Sequence, residues 1–71
     1  MLYKGEKAKE MVAEILHSLN EDGRYPLYEG DYGYYKNADG IYTAWDNMTG
    51  DCWVEDFKTE SECIDWLNYT Y

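Results

Sequence analysis

Residues 32–57 read YGYYKNADGIYTAWDNMTGDCWVEDF. Two tetrapeptides in this stretch, Asn37-Ala38-Asp39-Gly40 and Asn47-Met48-Thr49-Gly50, are near-copies of each other. Each fits a three-residue hairpin loop in which the glycine supplies the left-handed residue that ends in a bulge. They predict three short strands, about 32–36, 41–46 and 52–57. The connections are too short for anything but an antiparallel meander.

Loop type sets register, and register sets which side chains share a face. In the first hairpin Asn37 is expected opposite Ile41, Tyr35 opposite Thr43, and Gly33 opposite Trp45. In the second, a three-residue loop sets Asn47 opposite Asp51, Trp45 opposite Trp53 and Ile41 opposite Phe57. Tyr35, Ile41, Trp45, Trp53 and Phe57 then form the expected core face, with a ring covering the bare backbone of Gly33. A four-residue second loop would put Trp45 and Trp53 on opposite faces, a poorer core, so the three-residue reading is preferred. The other face carries Tyr32, Tyr34 and Lys36, then Tyr42, Ala44 and Asp46, then Cys52, Val54 and Asp56. It is expected to be left to water or a partner.

The flanks read as helices. Ala8, Met11, Val12, Ile15 and Leu19, with Leu16 beside them, form one apolar stripe at the helical period, which predicts a helix over about 6–21. Asp22-Gly23 supplies its stop and Pro26 prevents continuation. Thr59-Glu60-Ser61-Glu62 is a capping box that opens a second helix, 60 to about 68, with Cys63, Ile64, Trp66 and Leu67 on its apolar side. Asn68 to Tyr71 is expected to fray. The expected fold is α+β, in the order α-β-β-β-α. It is a three-stranded antiparallel sheet with both helices packed on one face, a single domain over 1–71.

Composition narrows the class of job. The chain has 71 residues, with 15 acidic and 6 basic side chains and a formal charge of −9. Direct binding to nucleic acid or to an anionic membrane surface needs an excess of Lys and Arg, and here 15 acids outnumber 6 bases. Apolar residues make up 45%, which argues against disorder. The N-terminus has no apolar signal region and no apolar run approaches a membrane span. A cytoplasmic setting with reduced thiols is therefore expected. Residues 1–24 carry five acids and four bases, net −1, whereas residues 25–71 carry ten acids and two bases, net −8. The excess charge belongs to the sheet and the last helix.

No constellation of reactive residues emerges. The expected register puts Cys52 on the open face and Cys63 on the inner side of the last helix, so two free thiols are expected. Cys52 is the more reactive candidate, although no Lys, Arg or His lies near it in sequence to lower its pKa. His17 is the only histidine, and one His with two distant Cys falls short of a zinc site. The loop from Asp46 to Asp51 resembles the start of a calcium loop. It fails at Met48, where an oxygen ligand is required, and at Phe57, which takes the place of the closing Glu. The expectation is a protein with no catalytic residues, no metal and no cofactor: not an enzyme.

The element order is similar to that of the double-stranded RNA-binding domain. That family carries a Lys cluster at the start of its last helix, where this chain reads Thr59-Glu60-Ser61-Glu62, so RNA binding does not carry over. In composition and architecture the whole chain resembles the small acidic inhibitors encoded by phages, the anti-CRISPR and antirestriction proteins, several of which mimic DNA. That resemblance implies carboxylates standing in for phosphates and exposed tyrosines standing in for the base or sugar surface. It implies as partner a basic groove on a nuclease or CRISPR effector, inside a bacterial host cell. The residues expected to make contact are Tyr32, Tyr34, Tyr42, Asp31, Asp46, Asp51, Asp56, Glu60 and Glu62. The alternative is a homo-oligomeric or structural module, acidic only for solubility, in which edge strand 32–36 or the tyrosine face pairs with its own copy.

Overall fold

The computed structural model describes residues 1–21 and 27–70. The chain runs β1 (Leu2–Lys4), α1 (Gly5–Glu21), β2 (Tyr32–Lys36), β3 (Tyr42–Asp46), β4 (Trp53–Phe57) and α2 (Glu60–Thr70). The class is α+β, but the sheet has four strands in the order β1-β2-β3-β4, not three. β1 pairs with β2 in parallel, and the other two pairings are antiparallel. The expected helix stop at Asp22-Gly23 and Pro26 lies outside the described residues, as do the side chain of Leu19 and the last residue of the chain.

β1 is three residues long, too short for an alternating pattern to announce it. The 17-residue α1 makes it possible. At about 1.5 Å per residue that helix returns the chain across the sheet, as a parallel connection requires. Leu2 lies opposite Tyr32, Tyr3 opposite Gly33 and Lys4 opposite Tyr34. The amide of Tyr32 donates to the Met1 carbonyl at 3.1 Å. With β1 in place β2 is an interior strand, so residues 32–36 offer no free edge for the self-pairing weighed as the alternative. The edges of the sheet are β1 and β4.

The first hairpin follows the expected register, with Gly33 opposite Trp45 and Tyr35 opposite Thr43. Asn37 and Ile41 close its loop through a 2.8 Å backbone bond. The second hairpin is shifted by one residue: Trp45 faces Val54, Asp46 faces Trp53 and Tyr42 faces Phe57. Strand parity explains the shift. Successive residues of a strand point their backbone groups to alternate neighbours. Ile41 bonds toward β2, so Asn47, six residues on, must do the same. The Asn47 amide indeed donates to the Asp31 carbonyl at 2.9 Å, and its carbonyl accepts from Gly30 at 2.9 Å. It cannot also close a hairpin on Asp51. The loop widens by Asp51 and by Cys52, which takes a left-handed backbone at φ 52°.

The shift moves Trp53 and Phe57 from the face of Trp45 to the face of Tyr42. That second face is now apolar enough to need cover, and the helices divide between the two faces. Ala8, Met11, Val12 and Ile15 of α1 pack on Trp45 and Cys52, with Tyr3, Tyr28 and Tyr35 at the margin. Cys63 and Leu67 of α2 pack on Tyr34 and Ala44, with Tyr32, Tyr42, Phe57 and Trp66 around them. The expectation of two helices on one face is corrected, and with it that of an open tyrosine face. β3, sandwiched between the two layers, has Thr43, Ala44, Trp45 and Asp46 all buried. A fully buried indole such as Trp45 contributes on the order of 4 kcal/mol of gross apolar burial. The capping box forms in part: the Glu62 amide donates to Thr59 Oγ1 at 3.2 Å as expected, but the Glu62 carboxylate takes the Thr59 hydroxyl, at 3.1 Å, where the box calls for a backbone N–H.

Candidate interaction surface

The nine residues expected to make contact do not form one surface. Tyr34, only 4% exposed, lies beneath α2 and donates its hydroxyl to Glu60 Oε2 at 2.8 Å. Burial, aided by that carboxylate, pushes its pKa up to about 12. Tyr32 and Tyr42 are half-buried against the same helix. Lys36 Nζ stands 5.9 Å from the centre of the Tyr42 ring. Asp46, 7% exposed, is also unavailable, since its Oδ1 accepts the Met48 amide at 2.9 Å and holds the turn. Asp31 is half-buried, its Oδ1 3.3 Å from the Met1 amino group.

Asp51, Asp56, Glu60 and Glu62 are exposed and keep oxygens to offer. Asp51 Oδ2 accepts the Thr49 hydroxyl at 3.3 Å and Asp56 Oδ1 accepts the Thr43 hydroxyl at 2.8 Å. Glu55 and Asp65, not singled out from the sequence, are exposed beside them. From Met48 to Asn68 these six carboxylates face the single cation Lys58, net −5. Three of them, Glu60, Glu62 and Asp56, act on the buried thiol of Cys63. Burial raises that pKa first, then Glu60, Glu62 and Asp56 add to it, and the thiol stands at about 11.

Sequence reasoning also misplaced Trp53. It was expected in the core and is 64% exposed, and its neighbour Val54 is 40% exposed on the other face of the same strand. The parity of residues 41 and 47 was the signal that could have placed both. Ile41, Asp56, Phe57 and Lys58 line a hollow of about 340 Å³ that is open to solvent rather than enclosed.

The two thiols fall on opposite faces of the sheet, both free and buried. Cys52 is not on an open surface as expected. It lies among the α1 contacts, and burial, with Asp46 nearby, pushes its pKa up to about 11. Among the described residues no group of three or more His, Cys, Asp or Glu is placed to hold a metal ion. Among them, too, no helix is long and apolar enough to cross a membrane.

The two Asn-x-x-Gly turns have different duties. In both, the glycine amide returns to the asparagine carbonyl, at 3.1 Å for Gly40 and 3.3 Å for Gly50. The Asn37 side chain caps its own loop, with Oδ1 accepting the amides of Asp39 at 3.0 Å and Ile41 at 3.2 Å. Asn47 is fully buried and donates Nδ2 to the Leu27 carbonyl at 2.7 Å, tying the second turn to the chain that enters β2.

Comparison with protein-family models, curated proteins and solved structures finds no match to this chain.

Proposed function

We propose that the chain is a non-enzymatic binding protein that occupies a basic groove of a nucleic-acid-binding protein, such as a nuclease or CRISPR effector. Its contact surface is the acidic edge made by β4 and the start of α2. The observation that carries this reading is the run of exposed carboxylates at Asp51, Glu55, Asp56, Glu60, Glu62 and Asp65 against the lone Lys58. A charge density of this kind steers association with a cationic surface and displaces its counterions. The tyrosines drop out of the contact set, because Tyr34 is buried and Tyr32 and Tyr42 are packed by α2. Trp53 takes over the aromatic role at the same edge, being the most exposed aromatic side chain there.

The homo-oligomeric alternative loses both surfaces named for it, since β2 is interior and the tyrosine face is covered. The deciding measurement is binding to a nuclease effector across a salt series. Affinity should fall steeply from about 50 to about 500 mM salt as screening rises. No affinity, or affinity indifferent to salt, overturns the reading. Paired charge reversal at two exposed carboxylates outside the cap and the Thr43 bond, Glu55→Lys with Asp65→Lys, should weaken binding while leaving the fold intact.

A further inference from the structure

β4 is an edge strand with unused backbone hydrogen-bonding groups, and their positions can be assigned. β3 directs the backbone of Ile41 and Asn47 to β2, so Tyr42, Ala44 and Asp46 bond to Phe57, Glu55 and Trp53. The N–H and C=O groups of Val54 and Asp56 therefore point away from the sheet. Natural edges of this kind are blunted by charge, and Glu55 and Asp56 do that against neutral or acidic strands. Blunting does not account for Trp53 and Val54, both left in solvent on the same five-residue strand.

The geometry points to β4 as a docking site for an extended basic segment of the partner, which joins the sheet as a fifth strand. This rests on the acidic-binding reading above and names its mode. Main-chain bonds to Val54 and Asp56 would give affinity, and side chains opposite each strand position would give selectivity. Glu55 and Asp56 point to opposite faces, so the complementary strand carries two successive cations opposite them. Opposite Trp53 and Val54 it carries an aromatic and a β-branched residue. A second copy of this chain is the poorer occupant. The antiparallel register that uses the whole strand sets Glu55 of one copy against Glu55 of the other, at −9 charge on each.

The test uses two synthetic peptides, Thr-Lys-Arg-Val-Tyr for antiparallel addition and its reversed sequence for parallel addition, each capped at both ends. One should bind, and in amide exchange the Val54 and Asp56 protons should become protected. Methylating the peptide nitrogens that would donate to the Val54 and Asp56 carbonyls, those of Val and Lys in the antiparallel peptide and those of Arg and Thr in the parallel one, leaves charge unchanged and should weaken binding at least ten-fold. Val54→Pro removes only an outward N–H and should weaken binding similarly. Should that variant not fold, the methylated peptide decides alone. If the methylated peptide binds as well as its parent, strand addition is wrong and only charge-led docking survives. If neither peptide binds while a nuclease effector does in low salt, strand addition is again wrong and the acidic reading stands. Sedimentation showing a dimer abolished by Val54→Pro would overturn the choice of occupant.

Discussion

Gly33→Ala puts the parallel pairing of β1 on β2 to a direct test. A Cβ built on Gly33 would lie 2.6 Å from the Tyr3 carbonyl oxygen, 3.1 Å from Ala8 Cβ and 3.2 Å from Trp45 Cζ2. The closest of these is backbone, so no side chain can swing aside. β1 must retreat by several tenths of an ångström, between α1 on one side and Trp45 below. Overpacking of this kind costs about 1–3 kcal/mol. The alanine recovers about 0.4–1 kcal/mol by restricting the unfolded chain. A net loss of about 1.3 kcal/mol follows, which lowers the melting temperature by roughly 5–10 °C in a domain of this size. Urea denaturation should show a lower midpoint at an unchanged slope. Amide exchange at Tyr32, whose N–H bonds to Met1, should quicken. Gly40→Ala is the contrast: nothing lies within 4 Å of its Cβ and the cost comes from φ +82° alone, about 1 kcal/mol, with no change at Tyr32. If Gly33→Ala is as stable as the parent and Tyr32 stays protected, β1 does not lie where the parallel pairing puts it.

Asn47→Ala should cost about 2–3 kcal/mol in urea melts, because it leaves the Leu27 carbonyl without its 2.7 Å donor and opens a buried gap. Asn37→Ala should cost only about 1 kcal/mol despite the same local sequence, its side chain serving two amides in its own half-exposed loop. Acrylamide, a neutral quencher that the acidic edge does not repel, should quench the fluorescence of Trp53 and spare the fully buried Trp45, so Trp53→Phe should remove most of the quenchable signal while changing stability by no more than about 0.5 kcal/mol. Stability should decline from about pH 9 upward. The folded pKa values of Cys52 and Cys63 (about 11) and of Tyr34 (about 12) stand above their ordinary 9.0 and 10.0, so the unfolded chain releases protons first. Each contributes on the order of 2 kcal/mol, lost as pH rises to the folded value. Tyr34→Phe should flatten the segment between pH 10 and 12, and an unchanged profile there would refute the burial of that phenol.

The sequence by itself determined the elements whose causes are local. The stripe of Ala8, Met11, Val12 and Ile15 makes α1, the Thr59–Glu62 box starts α2, and the Asn37–Gly40 loop pins the first hairpin with Gly33 under Trp45. Each depends on contacts within a few residues or on one turn. The acidic bias of residues 25–71 was equally legible, and four of its members, Asp51, Asp56, Glu60 and Glu62, do stand in solvent. What the tertiary structure decided is how the sheet is shared. Three residues at β1 carry no period of their own and gain meaning only when α1 delivers them beside β2. That strand turns 32–36 from an edge into an interior strand. The second hairpin repeats the motif of the first but cannot repeat its geometry, because residues 41 and 47 have the same parity and must both bond toward β2. Asn47 therefore pairs with Gly30 and Asp31 instead of Asp51, and everything beyond it changes face. Trp53 goes to solvent, Phe57 joins the tyrosines, and α2 closes over them. Side chains in a strand alternate with a period of two, so a single-residue shift exchanges inside for outside along the whole strand.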